Sequence, residues 1–183
     1  MEFEFMRNIE KIKKMAVGFT DNKDTTQEEI NIYSDMAEFY GFKLAEIFLG
    51  PLYNNGKLDG ECVQWFFDEV MHVDALVIQN KNTVARSEKE FEKFIVIMGL
   101  AEVTIFGIDE KCCLTKLVPD EVIKYVHSIY EKNWEECYKK VTSVRQAIMC
   151  KKKVIIKTFL EVYGEENFEF ECKDGDLFVV VVE

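Results

Sequence analysis

Asp74-Ala75-Leu76-Val77-Ile78-Gln79 is a short, unbroken apolar run behind one acidic residue. A strand that is apolar on both faces belongs at the centre of a parallel sheet covered by helices on either side. Downstream, the polar loop Asn80 to Thr83 leads to a helix expected from Ser87 to about Leu100, and Val103-Thr104-Ile105-Phe106-Gly107-Ile108 supplies the next strand. Upstream, Glu61 to Val70 sets Val63, Phe66, Phe67 and Val70 on one helical face.

Further out, Lys14-Met15-Ala16-Val17-Gly18-Phe19-Thr20 reads as a buried first strand, closed by the polar cluster Asp21-Asn22-Lys23-Asp24. Thr25 or Thr26, with Glu28 or Glu29 three residues on, offers a capping box. Ile30, Tyr33, Met36, Ala37 and Tyr40 then recur at helical spacing up to Gly41, and Phe42 to Leu49 suits a second strand. Gly50 to Gly56 is a loop by its Gly, Pro and Asn content. Residues 1–111 thus predict an α/β domain, a mainly parallel sheet with helices on both faces.

Residues 112–183 read as a second module. Pro119 with Asp120 and Glu121 suits a helix start. Ile123, Val126, Tyr130, Trp134, Cys137, Val141, Val144 and Ile148 step by threes and fours, which predicts one long amphipathic helix over 119–150 ending at Lys151-Lys152-Lys153. Its apolar stripe requires a cover, from the same chain or from a partner helix, so a homo-oligomer or a protein partner is expected there. A shorter helix to Tyr163 stopped by Gly164 comes next. Last comes a β-hairpin around Lys173-Asp174-Gly175-Asp176, whose Phe-Val-Val-Val-Val strand would be sticky as an open edge.

Charge narrows the function classes. The 183 residues carry a net charge of −11. Residues 1–111 hold 12 Lys/Arg against 21 Asp/Glu, a net −9, and residues 112–183 hold 11 against 13, a net −2. Nucleic-acid affinity rests on cations that displace phosphate counterions, so this balance disfavours stand-alone DNA binding, although a local basic patch remains compatible with it. No apolar stretch is long enough to span a bilayer, and the charged start Met1-Glu2-Phe3-Glu4-Phe5 has no apolar signal region, so no membrane association and a cytoplasmic location are expected. Six cysteines without a C-x-x-C pair, and two histidines far from ligand spacing, predict free thiols, packed histidines and no metal site. No cofactor is expected either. Gly18 stands alone after the first strand rather than in a phosphate-binding loop, and a small-molecule site at the carboxyl edge of the sheet rests on the generic fold alone.

The stretch Asp74 to Ile78, then a loop, Val84-Ala85-Arg86-Ser87 and a helix, is similar to the catalytic domain of resolvase/invertase-type serine recombinases. That family runs from a "D-x-hydrophobic" strand into L-D-R-L-[AGS]-R and a helix. Val103 to Glu110 looks like its next strand, and the resemblance covers about residues 14–111. It implies a resolvase-like fold, DNA binding, and a serine nucleophile that forms a 5′-phosphoserine link amid several arginines. Such cations offset the charge that builds on the non-bridging oxygens during attack.

The chain departs from that pattern where the chemistry lies. The family's first strand ends R-V-S; here one register offers Gly18-Phe19-Thr20 and the other Asp21-Asn22-Lys23, neither with a serine or an arginine. Lys57 is the nearest cation after Gly56, and Lys81-Asn82-Thr83-Val84-Ala85-Arg86 keeps only Arg86 of the family's charged residues. The entire chain has three arginines and four serines. The expectation is a degenerate recombinase, a pseudoenzyme serving as an interaction or regulatory module. The alternative is an active recombinase with a substituted site of Thr20 as nucleophile supported by Lys57 and Arg86. For Arg86 a plain structural role, pairing with Glu88 or Glu90 at a helix start, weighs at least as much as phosphate binding. Beyond the long stripe, the short helix and acidic hairpin do not resemble the basic helix-turn-helix that such recombinases generally carry.

Overall fold

The computed structural model describes residues 14–164 and 167–182. Strands β1 (Met15–Thr20), β2 (Lys43–Leu49), β5 (Ala75–Ile78), β6 (Thr104–Gly107) and β7 (Cys112–Cys113) form one sheet in the order β2-β1-β5-β6-β7. All neighbours are parallel except β7, which runs antiparallel to β6. The pleat of the central strands explains why they read as unbroken apolar runs. Ala16, Ala75, Val77 and Phe106 face helix α1 (Gln27–Phe39), through Tyr33 and Ala37. Val17, Phe19, Leu76, Ile78 and Ile105 face the opposite way, into the larger core. That core is closed by α2 (Gly60–Val70), α3 (Glu88–Leu100), α4 (Asp120–Tyr138) and α5 (Val144–Val162).

The helix starts are chemically marked. Thr26 and Glu29 form the reciprocal capping box ahead of α1, and Asp59, Ser87 and Ser143 cap α2, α3 and α5. Gly18 lets α1 approach the sheet: a Cβ there would lie 2.7 Å from Tyr33 Cδ1 and 2.8 Å from Ile47 Cγ1. The segment expected as a plain loop from Gly50 to Gly56 contains half of a small hairpin, β3 (Tyr53–Asn54) paired with β4 (Lys57–Leu58). The edge strand β7 is built by Cys112 and Cys113, a pair too short to leave a strand pattern in the sequence.

The long helix over 119–150 is not present. The chain turns between Tyr138 and Val144 and folds back, so α4 and α5 pack side by side as a helical hairpin. Ser143 Oγ accepts from Gln146 N, and Gln146 Oε1 accepts from Thr142 N and Thr142 Oγ1, which fixes the start of α5. Val122, Val126 and Asn133 are the buried residues of α4, whereas Val144 and Ile148 are 62% and 65% exposed. The second half of the stripe therefore faces outward, and α5 buries Cys150, Val154, Ile155, Ile156 and Phe159 instead. Lys151 to Lys153 sit in the middle of α5 rather than at a helix end, and α5 itself replaces the expected short helix, with Gly164 just beyond it at φ 76°.

The core continues across the boundary expected near residue 111, for Phe67 of α2 meets Phe159 of α5 edge to face with ring centroids 5.0 Å apart. The C-terminal hairpin has the expected turn. Strands β8 (Phe168–Lys173) and β9 (Asp176–Val181) flank Asp174 and Gly175, both at positive φ, the pairing a two-residue hairpin turn requires. Its edge is held by α2: Gln64 Nε2 donates to Leu177 O at 3.1 Å, and Val179 N donates to Gln64 Oε1 at 2.6 Å. Among the described residues no helix is long and apolar enough to cross a membrane.

Candidate functional site

The strand order makes one place special. From β1 the chain crosses by α1 to β2 on one side, then returns to lay β5 on the other side of β1. Such a switch leaves a crevice beyond the carboxyl ends of β1 and β5, where doubly wound folds place their ligands. Thr20 ends β1, and the loop after β5 leads through a single 3-10 turn at Lys81–Thr83 to Arg86.

The end of β1, the β3–β4 hairpin and the loop after β5, which carry Thr20, Lys57 and Arg86, are neighbours. The Tyr53 hydroxyl, on the small hairpin, donates to Asn82 O and to Ala85 O, which ties the hairpin to the loop after β5. Burial raises the pKa of that hydroxyl; the charges of Asp21 and Glu90 raise it further, and that of Arg86 lowers it. Asp21, on the loop after β1, thus acts on the same group.

Convergence does not make the place cationic. Arg86 is committed to structure: Nη2 and Nε contact Glu90 Oε1 at 2.7 and 3.1 Å, and Nη1 donates to Gly56 O at 2.6 Å. Nη2 also donates to Tyr163 O at 3.1 Å, with the guanidinium 5.6 Å from the centre of the Tyr163 ring. Tyr163, just past the end of α5, is itself buried and donates to Val84 O at 2.6 Å. The guanidinium therefore fastens the loop after β5 to the hairpin and to the C-terminal module. Lys57 is exposed on β4.

Thr20 is buried, 4% exposed, and its Oγ1 accepts from Asn22 N at 3.1 Å. Beside it, the Tyr33 hydroxyl donates to Phe19 O at 3.3 Å. Burial pushes that hydroxyl up to about 12; its hydrogen bond with Thr20 opposes the rise, and Asp21, Asp109 and Glu29 add to it. Asp109 Oδ1 and Oδ2 in turn accept from Gln79 Nε2 and Asn80 Nδ2, at 2.5 and 2.8 Å. The crevice is thus bordered by carboxylates at Asp21, Asp109 and Glu90.

Sequence reasoning misses Tyr53, Tyr163 and Asp109 as site builders, since Tyr53 lies in an expected loop and Tyr163 reads only as a helix end. It does anticipate Glu90, through its four-residue spacing from Arg86. Asp74 works at the other edge, where its Oδ2 accepts from Met15 N at 3.0 Å and joins the amino ends of β1 and β5. The histidines are exposed rather than packed. The cysteines are free, with Cys150 buried and Cys172 exposed. Among the described residues no group of three or more His, Cys, Asp or Glu is placed to hold a metal ion. No protein-family model matches the chain, and no curated protein matches it either.

Proposed function

We propose that this chain is a recombinase-like protein without strand-exchange chemistry, a pseudoenzyme whose α/β scaffold serves protein interaction or regulation. The observation that carries this reading is the commitment of Arg86 to Glu90, Gly56 O and Tyr163 O in a crevice bordered by Asp21 and Asp109. Phosphodiester attack builds negative charge, and removing a single donor that offsets it typically costs about 100- to 1,000-fold in rate. Here a carboxylate already holds the guanidinium, and Thr20 lies buried with its oxygen turned to the backbone of its own loop. Val144 and Ile148, one turn apart on α5 and 62% and 65% exposed, supply an apolar surface for association.

The test is a trapping assay. The full chain is incubated with nicked duplexes of randomised sequence, denatured, and resolved for covalent protein–DNA adducts. No adduct above the level of a Thr20→Ala control is expected. An adduct that forms with the native chain and disappears with Thr20→Ala would establish the alternative, active recombinase.

A further inference from the structure

A cationic concavity lies away from the sheet edge. A groove of about 690 Å³ runs between α4, α5 and the β8–β9 turn, and Lys140, Arg145, Lys153 and Lys157 line it against one carboxylate, Glu136. On a chain of net charge −11 that is a local excess of three positive charges. Among the described residues Lys157 is the one of the four cations with an ion pair, to Glu136 at 3.1 Å. Lys153 instead stands 5.6 Å from the Phe170 ring centre, and the Arg145 guanidinium lies over Gly175, close enough that a Cβ there would sit 2.5 Å from Nη2. Between the cations the wall is apolar, made by Val141, Met149, Val154 and Leu177.

A second feature of the groove is independent of charge. Asn133 also lines it, is 2% exposed, and its Oδ1 has no hydrogen-bond partner, while its Nδ2 donates to Thr158 Oγ1 at 3.3 Å. A buried amide oxygen left unpaired costs about 1–3 kcal/mol, a cost that a bound hydrogen-bond donor removes. Apolar walls, a cationic rim and one unmatched acceptor together describe a complementary molecule.

We propose that this groove binds a small amphipathic anion, one with an apolar body, a single anionic head group for the Lys/Arg rim, and a hydrogen-bond donor for Asn133. Its volume falls in the range of about 300–1,000 Å³ typical of small-molecule sites. The four cations line a single concavity with an apolar wall on a chain of net charge −11, whereas nucleic-acid affinity draws on many phosphate contacts, which favours a small ligand over a nucleic acid. This proposal does not depend on the recombinase-like reading.

The probe is 8-anilinonaphthalene-1-sulfonate, an apolar anion with an N–H donor, titrated into the full chain and followed by fluorescence and by the Asn133 side-chain amide signals in a nitrogen–proton spectrum. Saturation at one site, with the Asn133 signals moving along the same curve, is expected. The pair Arg145→Glu and Lys153→Glu is expected to weaken binding by about tenfold or more, by loss of two charge contacts and addition of two repulsions. The pair Lys23→Glu and Lys116→Glu makes the same charge change outside the groove and should leave the titration unaltered. If the groove pair lowers the melting temperature, Lys153→Gln alone replaces it. Unsaturable binding, equal weakening by both pairs, or stationary Asn133 signals would overturn the proposal. So would a short DNA duplex whose binding, unlike that of the probe, is lost with the groove pair.

Discussion

Arg86 Nη2 and Glu90 Oε1 lie 2.7 Å apart, one helical turn from each other, with the Arg86 and Glu90 side chains only 24% and 14% exposed. The Glu90 carboxylate also accepts from Arg86 N at 2.6 Å, so a single acid holds both ends of the residue at the start of α3. An arginine so engaged is a structural rivet. Freeing it for a phosphate would take the guanidinium from Gly56 O and Tyr163 O and leave Glu90 without its counter-ion.

Removal of the rivet is therefore expected to cost stability. Arg86→Ala should lower the unfolding free energy by about 2–4 kcal/mol, because it leaves a partly buried carboxylate without its counter-ion and takes the donor from Tyr163 O. Arg86→Lys should recover only part of that loss, since an ammonium cannot span the carboxylate and both carbonyls as the planar fork does. In the double variant Arg86→Ala/Glu90→Ala the loss should be smaller than the sum of the singles. Urea unfolding of the native protein and these variants measures this, and strict additivity would contradict the pairing.

The contact of α1 with the sheet predicts opposite outcomes for one chemical change at two glycines. Gly18→Ala would press a methyl into Tyr33 and Ile47, and should destabilise by about 1–3 kcal/mol. Gly99, in α3, has nothing within 4 Å of its added Cβ, so Gly99→Ala should stabilise by about 0.5–1 kcal/mol through helix propensity. Thermal unfolding that shifted both in the same direction would be inconsistent with this packing.

Alkaline pH provides a separate reading of the crevice. Burial raises Tyr33 to about 12, above the ordinary tyrosine value near 10. Between those values the unfolded chain has lost the proton and the folded one retains it, so stability falls as pH rises. The Tyr33 contribution is complete below about pH 10 and is lost as pH passes through about 12. Tyr163 shifts upward for the same leading reason, burial, and contributes in the same direction. Tyr33→Phe should flatten part of the decline in unfolding free energy over this window. Parallel declines in the native and variant proteins would deny Tyr33 that role.

How much of this is legible without the structure depends on the element. Strands β1, β5 and β6 announce themselves because a core strand is apolar on both faces, and Thr26 with Glu29 marks the start of α1. The turn at 139–143 escapes because Val141, Val144 and Ile148 keep a helical period through it; a period records spacing and carries no information on where the chain reverses. The contrary signal is local, the capping-box spacing of Ser143 and Gln146. The convergence of loops on the crevice is likewise hidden, since Tyr53, Arg86 and Tyr163 meet through main-chain carbonyls, which no side-chain pattern encodes. What does carry over is the scarcity of arginine: the 183 residues hold three, and of the two among the described residues, Arg86 and Arg145, Arg86 alone stands at the crevice.

That same scarcity makes the decisive measurement simple, because a nitrogen–proton spectrum of the arginine Nε groups has only three side chains to report, Arg7, Arg86 and Arg145. Inorganic phosphate, then a nicked DNA duplex, is titrated into the full chain while the Arg86 Nε–H signal is followed. The account predicts an Arg86 signal that stays fixed to millimolar phosphate and throughout the duplex titration, and that moves with Glu90→Gln. A saturable shift of Arg86 with either titrant, in the native protein, would contradict it and return the crevice to phosphodiester chemistry.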